Sequence, residues 1–134
     1  MLESISGQDF YLTIQSHLNL GVYNLNVMNF EKVVYHQWRA TYLMLISYGE
    51  TAPDLLVSFA NLSRAYLKLK DYNTAIKCYE SAMDIIQRAH GKNNAKMSFC
   101  YSSLASICYE IGNMAKAIEY QTANVAILKE VLYC

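Results

Sequence analysis

Hydrophobic residues recur at helical spacing along the chain, and the clearest case lies in its middle. From Leu55 onward, apolar side chains are three or four positions apart, at Leu55, Phe59, Leu62 and Tyr66. This spacing puts them on one face of an α-helix that ends near Lys70. Asp71, a good N-cap residue, then precedes a second helical series: Tyr72, Ala75, Ile76, Tyr79, Met83 and Ile86. The pattern predicts two helices joined by a short turn.

The same pair of helices is predicted three times. Gly7, Gly49 and Gly91 are 42 residues apart, and this offset aligns residues of one class along the whole chain. The aligned sets include core leucines (Leu20, Leu62, Leu104), small residues (Gly21, Ser63, Ala105 and Val33, Ala75, Ala117) and turn formers (Asn29, Asp71, Asn113). Such self-similarity indicates a repeat protein. The sequence therefore predicts one domain over residues 1–134, with repeats at about 7–48, 49–90 and 91–133.

Stacked helix pairs bury apolar faces that one pair leaves exposed. We therefore expect an all-α fold of six helices in about three helix–turn–helix repeats. The aligned small residues are expected where two helices approach closely. Asn29, Asp71 and Asn113 are expected to cap the second helices, and Gly49 and Gly91 to end them with positive φ.

Composition supports a packed helical domain with no net charge. Hydrophobic residues make up 54% of the 134 residues, and a single proline with five glycines argues against an all-β fold. Eleven basic residues balance eleven acidic ones, so bulk charge offers no attraction to nucleic acid or to an anionic membrane. The N-terminal segment lacks a signal-peptide pattern, and no apolar run is long enough for membrane insertion. We expect a cytoplasmic location.

Residues for catalysis or metal binding do not cluster in the sequence. His17, His36 and His90 are far apart and form no HExxH motif, and no nucleophile–base pair, paired carboxylates or phosphate-binding glycine loop is present. The cysteines, expected to be reduced and packed as small hydrophobic residues, are Cys78, Cys100, Cys108 and Cys134. We expect no enzyme activity, cofactor or metal.

A series of residues in the middle copy resembles the pattern of a known repeat family. Its residues are Phe59, Leu62, Ser63 and Tyr66 on the first helix, and Ala75, Tyr79 and Ala82 on the second. They resemble the tetratricopeptide repeat, which implies a right-handed α-solenoid. The third copy matches at Tyr101, Leu104, Ala105 and Ala117 and is weaker at Cys108, Gln121 and Asn124. The first copy keeps Leu20, Gly21 and Ala40 and departs at His17, Asn24 and Gln37.

The long repeat is similar to two subfamilies. Forty-two residues exceed the usual 34 by about one turn in each helix. Together with "YGETAP" between copies, this length resembles the kinesin light chain repeat. The stretches "RATYLMLISYGETAPDLL" and "YSSLASICYEIGNMAKAIEYQTANVAILKEVL" are more similar to the C-terminal repeats of the clustered-mitochondria (Clu) family, large cytosolic proteins needed for normal mitochondrial distribution.

The resemblance implies a concave groove that is lined by the first helices and binds a peptide or a partner domain. The family's groove positions fall on Gln15, Asn19, Val22, Val57, Asn61, Arg64, Lys68, Phe99, Ser103 and Ser106. Asn19 and Asn61 share one repeat position, and their amides can pair with the backbone of an extended peptide. Solvated helix asparagines are the alternative for both residues.

Charge leaves the type of partner open. Arg64 and Lys68 are four residues apart on one helix face and suit an acidic peptide or a phosphate, although ordinary solvated charge explains them equally well. With Lys70 and Lys96 they are the only hint of a basic stripe for RNA, an alternative that the Clu resemblance supports and the neutral net charge does not favour.

Aromatic residues and the C-terminal helix give two further expectations. Most tyrosines fall in or beside apolar stripes and are expected in the core: Tyr23, Tyr35, Tyr42, Tyr48, Tyr66, Tyr72 and Tyr79. Phe99, Tyr109 and Trp38 are candidate surface anchors. The last helix is apolar to its end, whereas the end of a solenoid needs a polar outer face. We therefore expect either a longer array or self-association through this helix.

Overall fold

The computed structural model describes residues 7–51 and 54–133 of the chain. Its six α-helices are α1 (Gly7–Asn26), α2 (Phe30–Tyr48), α3 (Leu55–Lys68), α4 (Tyr72–His90), α5 (Ala95–Glu110) and α6 (Met114–Tyr133). A 3-10 turn, Gly49–Thr51, follows α2. No β-strand occurs in these two ranges, and the prediction of an all-α fold with six helices is confirmed.

Helix boundaries repeat at the spacing that the sequence predicted. The first helices of the three pairs end at Asn26, Lys68 and Glu110, each 42 residues after the one before. The second helices begin at Phe30, Tyr72 and Met114, again at that spacing. The 42-residue repeat is therefore a property of the backbone as well as of the sequence.

Each first helix ends in the same left-handed turn. Met28, Lys70 and Gly112 have φ angles of 63°, 64° and 85°. In every copy the next amide donates a hydrogen bond to the carbonyl five residues earlier, at 2.9 Å, 2.8 Å and 2.8 Å. This is the Schellman arrangement, which usually places glycine at the left-handed position. Only the third copy has glycine there.

The capping predictions are confirmed in part. Asn113 accepts a hydrogen bond from the Lys116 amide at 3.2 Å and caps α6 as expected. Asn29 precedes α2, but its side chain forms no capping hydrogen bond, so that part of the prediction is wrong. Gly49 and Gly91, with φ of 70° and 81°, end α2 and α4 as predicted.

The chain divides into two compact units, Met1–Asp71 and Tyr72–Cys134. In the first unit α2 packs between α1 and α3, which also contact each other; in the second, α5 packs against α4 and α6. The small residues at aligned positions are all buried: Gly21, Ser63, Ala105, Val33, Ala75 and Ala117. In the first and third copies, whose two helices are in contact, this agrees with the predicted close approach.

Two core predictions are wrong in the first unit. Leu62 and Leu104 are fully buried, but Leu20 at the same repeat position is 43% exposed. Leu20 lies on α1, and within residues 7–51 and 54–133 no helix covers the face of α1 that corresponds to the α2-facing side of α3. Tyrosines expected in the core are exposed as well, Tyr23, Tyr35, Tyr42 and Tyr48 in this unit and Tyr72 in the second. An amphipathic ring at the edge of an apolar stripe remains partly in water, which sequence spacing alone does not show.

The predicted state of the cysteines is confirmed for three of them. Cys78, Cys100 and Cys108 are buried and form no disulfide within the described residues, while Cys134 lies outside them. Burial raises the pKa of the Cys100 thiol to about 12. None of the helices in the described part of the chain has the length and apolar character that crossing a bilayer requires.

Candidate functional site

Three repeat positions on the first helices form the predicted groove. They lie at i, i+4 and i+7, so each helix presents its three residues on one face. The first row is Gln15, Val57 and Phe99; the second is Asn19, Asn61 and Ser103; the third is Val22, Arg64 and Ser106. Lys68 continues the face of α3. None of these ten side chains is buried: Gln15, Asn61 and Ser103 are half-buried, and the others are exposed.

The two asparagines of the second row lie on neighbouring helices of the first unit. α1 carries Asn19, α3 carries Asn61, and the two helices are in contact. Among the described residues, neither side-chain amide is engaged by another side chain. Both amides therefore keep a donor and an acceptor for a ligand.

α3 also carries a small cationic surface. Arg64 and Lys68 are one turn apart, Lys70 follows the helix, and all three side chains are exposed. Ion pairs between described residues involve other cations, Arg88 with Asp84 and Lys116 with Glu119. The charge on this part of α3 is thus available to an anionic group.

A network of buried polar side chains fixes α3 on α2. The Ser58 hydroxyl donates to the Gln37 backbone carbonyl and to its side-chain Oε1, each at 3.1 Å. Thr41 donates to the same carbonyl at 2.7 Å and bonds to the Ser58 hydroxyl. At the edge of this contact, Trp38 Nε1 donates to the Tyr66 hydroxyl at 2.9 Å. These bonds set the position of the helix that carries Asn61 and Arg64.

The remaining predicted groove residues lie on α5 in the second unit and have different neighbours. The ring of Phe99 lies 6.2 Å from that of Tyr79, so it packs toward α4 while 47% of the residue stays exposed. Ser106 instead lines an open cavity between α5 and α6, and Ser103 is half-buried on α5.

The α5–α6 cavity has a volume of about 1000 Å³ and a mostly apolar lining. Tyr109 of α5 and Ile118 and Val125 of α6 contribute to its wall, and Glu110 and Lys129 add one charge of each sign. Sequence reasoning did not predict this cavity, although it picked out Tyr109 as a surface anchor, and that residue is 67% exposed. The apolar sequence of the C-terminal helix was the other feature that could have indicated this cavity.

Two histidines that are distant in sequence meet where α1 packs on α2. The Nδ1 atoms of His17 and His36 are 2.9 Å apart, and Tyr35 packs edge-on against both rings. Burial, and then the nearby charges of His36 and Arg39, lower the pKa of His17 below its ordinary value. The same two repeat positions in the third copy hold Tyr101 and Tyr120, whose ring centroids are 6.0 Å apart.

Side chains that could ligate a metal ion do not cluster in the described part of the chain. No group of three or more histidine, cysteine, aspartate or glutamate side chains is assembled within residues 7–51 and 54–133.

Repeated helix pairs, aligned at 42 residues and presenting polar rows on their first helices, define an α-solenoid repeat protein. The model of the tetratricopeptide repeat family matches residues 54–130. The chain belongs to this family. The part that matches includes α3 to α5 and most of α6, and so the copies in which the sequence pattern is strongest.

Relatives with overall sequence similarity are clustered mitochondria protein homologs. The chain is 25% identical over 135 residues to the one from Xenopus tropicalis, 22% over 132 residues to that from Homo sapiens and 26% over 125 residues to that from Candida albicans. These alignments cover 98%, 98% and 89% of this chain. They cover 10%, 10% and 9% of the relatives, so the chain spans about a tenth of their length.

Solved structures share the fold. The crystal structure of BtubC (BKLC) from P. vanneervenii superposes with a TM-score of 0.76 at 17% identity, covering 87% of this chain and 46% of that one. The tetratricopeptide repeat domain of Arabidopsis FLU also gives 0.76, at 19% identity, covering 90% of this chain and 98% of that domain. At these identities the likeness establishes the fold.

Proposed function

We propose that the chain is a non-catalytic protein-interaction scaffold that binds an extended peptide along α1 and α3. The observation that supports this most is the pair Asn19 and Asn61, which share a repeat position on contacting helices and have amides that no other described side chain engages. Asparagine is a poor residue inside a helix, so a repeated, unengaged one suits a ligand contact better than helix stability.

The proposed ligand is an acidic peptide in extended conformation. Asn19 and Asn61 pair with its backbone, as side-chain amides can both donate and accept. Arg64 and Lys68 attract its carboxylates, and Gln15, Val22 and Val57 contact its side chains. On α5, Phe99, Ser103 and Ser106 extend the same repeat positions.

Binding is tested by capture from cytosolic lysate with and without ribonuclease. The wild type is compared with the triple variant Asn19→Ala/Asn61→Ala/Arg64→Ala. A matched control, Asn73→Ala/Lys77→Ala/Gln87→Ala, removes similar groups from exposed positions of α4. Circular dichroism verifies that each variant is folded. Protein partners that survive ribonuclease, bind the control and are lost with the triple variant support the groove; equal capture by all three proteins contradicts it.

A second candidate function is association with RNA or a ribonucleoprotein. The exposed cations Arg64, Lys68 and Lys70 favour it, while the balanced net charge does not. Partners lost on ribonuclease treatment would support this function instead. A cargo-adaptor role like that of kinesin light chains is a third candidate, based on repeat length and on the fold likeness to BtubC (BKLC).

The cellular role that we propose follows the relatives. The chain resembles about a tenth of a clustered mitochondria protein homolog, and we assign it to the repeat region of a longer cytoplasmic protein that acts in mitochondrial distribution. Fluorescent tagging of the parent protein, with the triple variant introduced at its locus, tests this. Clustered mitochondria in the variant and normal ones in the α4 control are the expected result.

Self-association through α6 is also proposed. This helix exposes a row of apolar side chains, among them Ile118, Val125 and Leu128. Burying them against a second chain removes apolar surface from water. Analytical ultracentrifugation across a range of protein concentrations measures this self-association directly.

A further inference from the structure

We propose that α2 carries a second binding surface, an exposed aromatic stripe that binds a proline-rich segment of a partner protein. The aromatic stripe consists of Tyr35, Trp38, Tyr42 and Ile46, whose exposed fractions lie between 40% and 58%. Because these residues are three or four positions apart, they lie along one face of the helix. The inference goes beyond the proposed function, which concerns a groove on α1 and α3.

The repeat itself provides a comparison for the four positions of the stripe. Their equivalents on α4 are Lys77, Glu80, Asp84 and Arg88. Their equivalents on α6 are Glu119, Thr122, Ala126 and Glu130. Every one of these side chains is exposed, as are those of the stripe, so the positions face water in each copy. Among the second helices, α2 alone has large apolar side chains there, which indicates a contact with another molecule.

Two rings of the stripe are held in place although they are exposed. Trp38 Nε1 donates a hydrogen bond to the Tyr66 hydroxyl at 2.9 Å, and the indole packs edge-on against Phe59, with ring centroids 6.2 Å apart. Tyr35 packs edge-on against the two contacting histidines of α1 and α2. Because these rings are already fixed, binding costs them less conformational entropy than it costs freely rotating side chains.

The polar groups on this face are mainly hydrogen-bond donors. Arg39 is four residues from Tyr35 and three from Tyr42, so its guanidinium flanks the stripe. No described residue hydrogen-bonds with this guanidinium or with either tyrosine hydroxyl. Glu31 lies one turn before the stripe, in the first turn of α2, where the helix dipole favours a negative charge. A proline-rich segment offers carbonyl acceptors and lacks an amide donor at each proline, so its polar groups complement these donors.

The dimensions of the stripe fit a short polyproline II helix. Tyr35 and Ile46 are eleven residues apart, which is about 16 Å along an α-helix. A polyproline II helix advances about 3.1 Å per residue, so about five residues span this distance. Trp38 and Tyr42 are one turn apart, about 6 Å, which is the advance of two such residues. Proline-rich segments dock between aromatic rings, and their conformation is formed before binding.

A second copy of the chain suits the stripe less well. A large aromatic side chain buries roughly 150–250 Å² when it is fully covered, so four side chains that are about half exposed offer on the order of 400 Å². A specific dimer buries about 800 Å² on each partner. The stripe is therefore too small for a stable dimer, whereas a short linear segment needs no larger area.

The probe for the test is acetylated and amidated decaproline, with a glycine–serine peptide of equal length as its control. Trp38, the only tryptophan, reports binding through its fluorescence, and isothermal titration calorimetry measures the same affinity independently. We expect decaproline to bind the wild type with a Kd of about 10–500 µM, as suits a small interface. The glycine–serine peptide should not bind.

Two variants test the stripe. Tyr35→Lys/Tyr42→Asp/Ile46→Arg introduces the residues that α4 carries at these positions and keeps Trp38 as the reporter. We expect it to bind decaproline at least about tenfold more weakly. Tyr35→Phe/Tyr42→Phe keeps the rings and removes the hydroxyl donors, and it should bind about three- to tenfold more weakly. The phenylalanine variant still tests the stripe if the charged variant does not fold, which circular dichroism determines.

The matched control makes the same kinds of change on another helix. Tyr11→Lys/Tyr23→Asp/Val27→Arg alters exposed positions of α1 and should bind decaproline like the wild type. The groove variant Asn19→Ala/Asn61→Ala should do so too, which keeps a failure of the proposed function distinguishable from a failure of this inference.

Two results would overturn the proposal. The first is that decaproline at about 2 mM does not bind the wild type, and the second is that the charged stripe variant binds it equally well. Analytical ultracentrifugation and flotation with phosphatidylcholine vesicles then identify the occupant. If the stripe substitutions abolish dimerisation or vesicle binding of a wild type that does not bind decaproline, the stripe contacts a second copy or a membrane, and the proline-rich partner is wrong.

Discussion

Gln37 lies so close to Gly21 that the two residues exclude any side chain at position 21. A Cβ atom on Gly21 would overlap Nε2 of Gln37 and lie 2.9 Å from its Cδ. Gln37 is fully buried, and Ser58 holds its Oε1 atom, so the side chain cannot swing into water. The small residue at this repeat position is therefore required by the glutamine of the facing helix.

This contact predicts that Gly21→Ala destabilises the chain, although alanine is usually preferred to glycine within a helix by about 1 kcal/mol. Forcing a methyl group into a filled site costs roughly 1–3 kcal/mol. The free energy of unfolding in urea, followed by the fluorescence of Trp38, the only tryptophan, measures the change in this unit.

A double-mutant cycle with Gln37→Ala provides the control. Removing the amide makes room for the methyl group, so Gly21→Ala should cost much less in that background, with a coupling energy of roughly 0.5–3 kcal/mol. Additive effects of the two substitutions would show that the contact does not determine the preference for glycine.

The left-handed turns predict that Lys70→Gly and Met28→Gly each stabilise the fold. Both residues have positive φ and exposed side chains, so glycine relieves backbone strain without loss of packing. A left-handed backbone conformation costs a non-glycine residue roughly 1–2 kcal/mol in the folded chain. Glycine avoids this cost, but its greater conformational freedom in the unfolded chain offsets part of the gain. We expect a net gain of about 0.5–1 kcal/mol in urea denaturation.

Gly112→Ala is the reciprocal test, because Gly112 occupies the same turn in the third copy with φ of 85°. Alanine should destabilise by about 1 kcal/mol there. No atom lies within 4 Å of the place that a Cβ would take on Gly112, so the effect isolates backbone conformation from packing.

The histidine contact predicts that stability falls in mild acid. The pKa of His17 is lowered in the folded chain by burial, then by His36 and Arg39, so the unfolded chain takes up a proton more readily. Neutral His17 therefore contributes to the free energy of unfolding. This contribution is complete above pH 6.5, the ordinary pKa of histidine, and is lost as the pH falls below that value. Urea midpoints measured from about pH 7.5 down to about pH 5 should show this decrease.

His17→Phe should weaken the dependence on pH, since Phe59 occupies the same repeat position in the second copy. The exposed His90 is the control, and His90→Gln should leave the acid-side decrease in place. An unchanged pH profile in the His17 variant would assign the effect to other groups.

Buried thiols predict slow alkylation of the native chain. Cys78, Cys100 and Cys108 are buried, and burial raises the pKa of Cys100 to about 12 and that of Cys108 above its ordinary value. The thiolate is the reactive form, so iodoacetamide should modify these three residues only after unfolding in urea. Peptide mapping by mass spectrometry reads each site separately; rapid modification of Cys100 in the native chain would contradict the packing described here.

The repeat and its helices could be predicted from sequence because they depend on local spacing. Apolar residues at helical intervals and turn formers at a fixed offset determined six helices, and the boundaries observed at Asn26, Lys68 and Glu110 keep that offset. The small residue at position 21 correctly indicated a close helix contact, because Gly21 lies against Gln37 of α2. None of the ten predicted groove residues is buried, since their positions on the repeated face lie away from the apolar stripe.

Features that depend on which helix covers which could not be read from one sequence. Leu20 and Leu62 are the same residue at the same repeat position, yet one is exposed and the other buried, because a face is core only when another helix packs on it. The contact of His17 with His36 and the α5–α6 cavity arise in the same way, from helices brought together in the folded chain. Periodicity determined the helices and their register; tertiary packing decided which of their apolar faces were buried and which remained available to a partner.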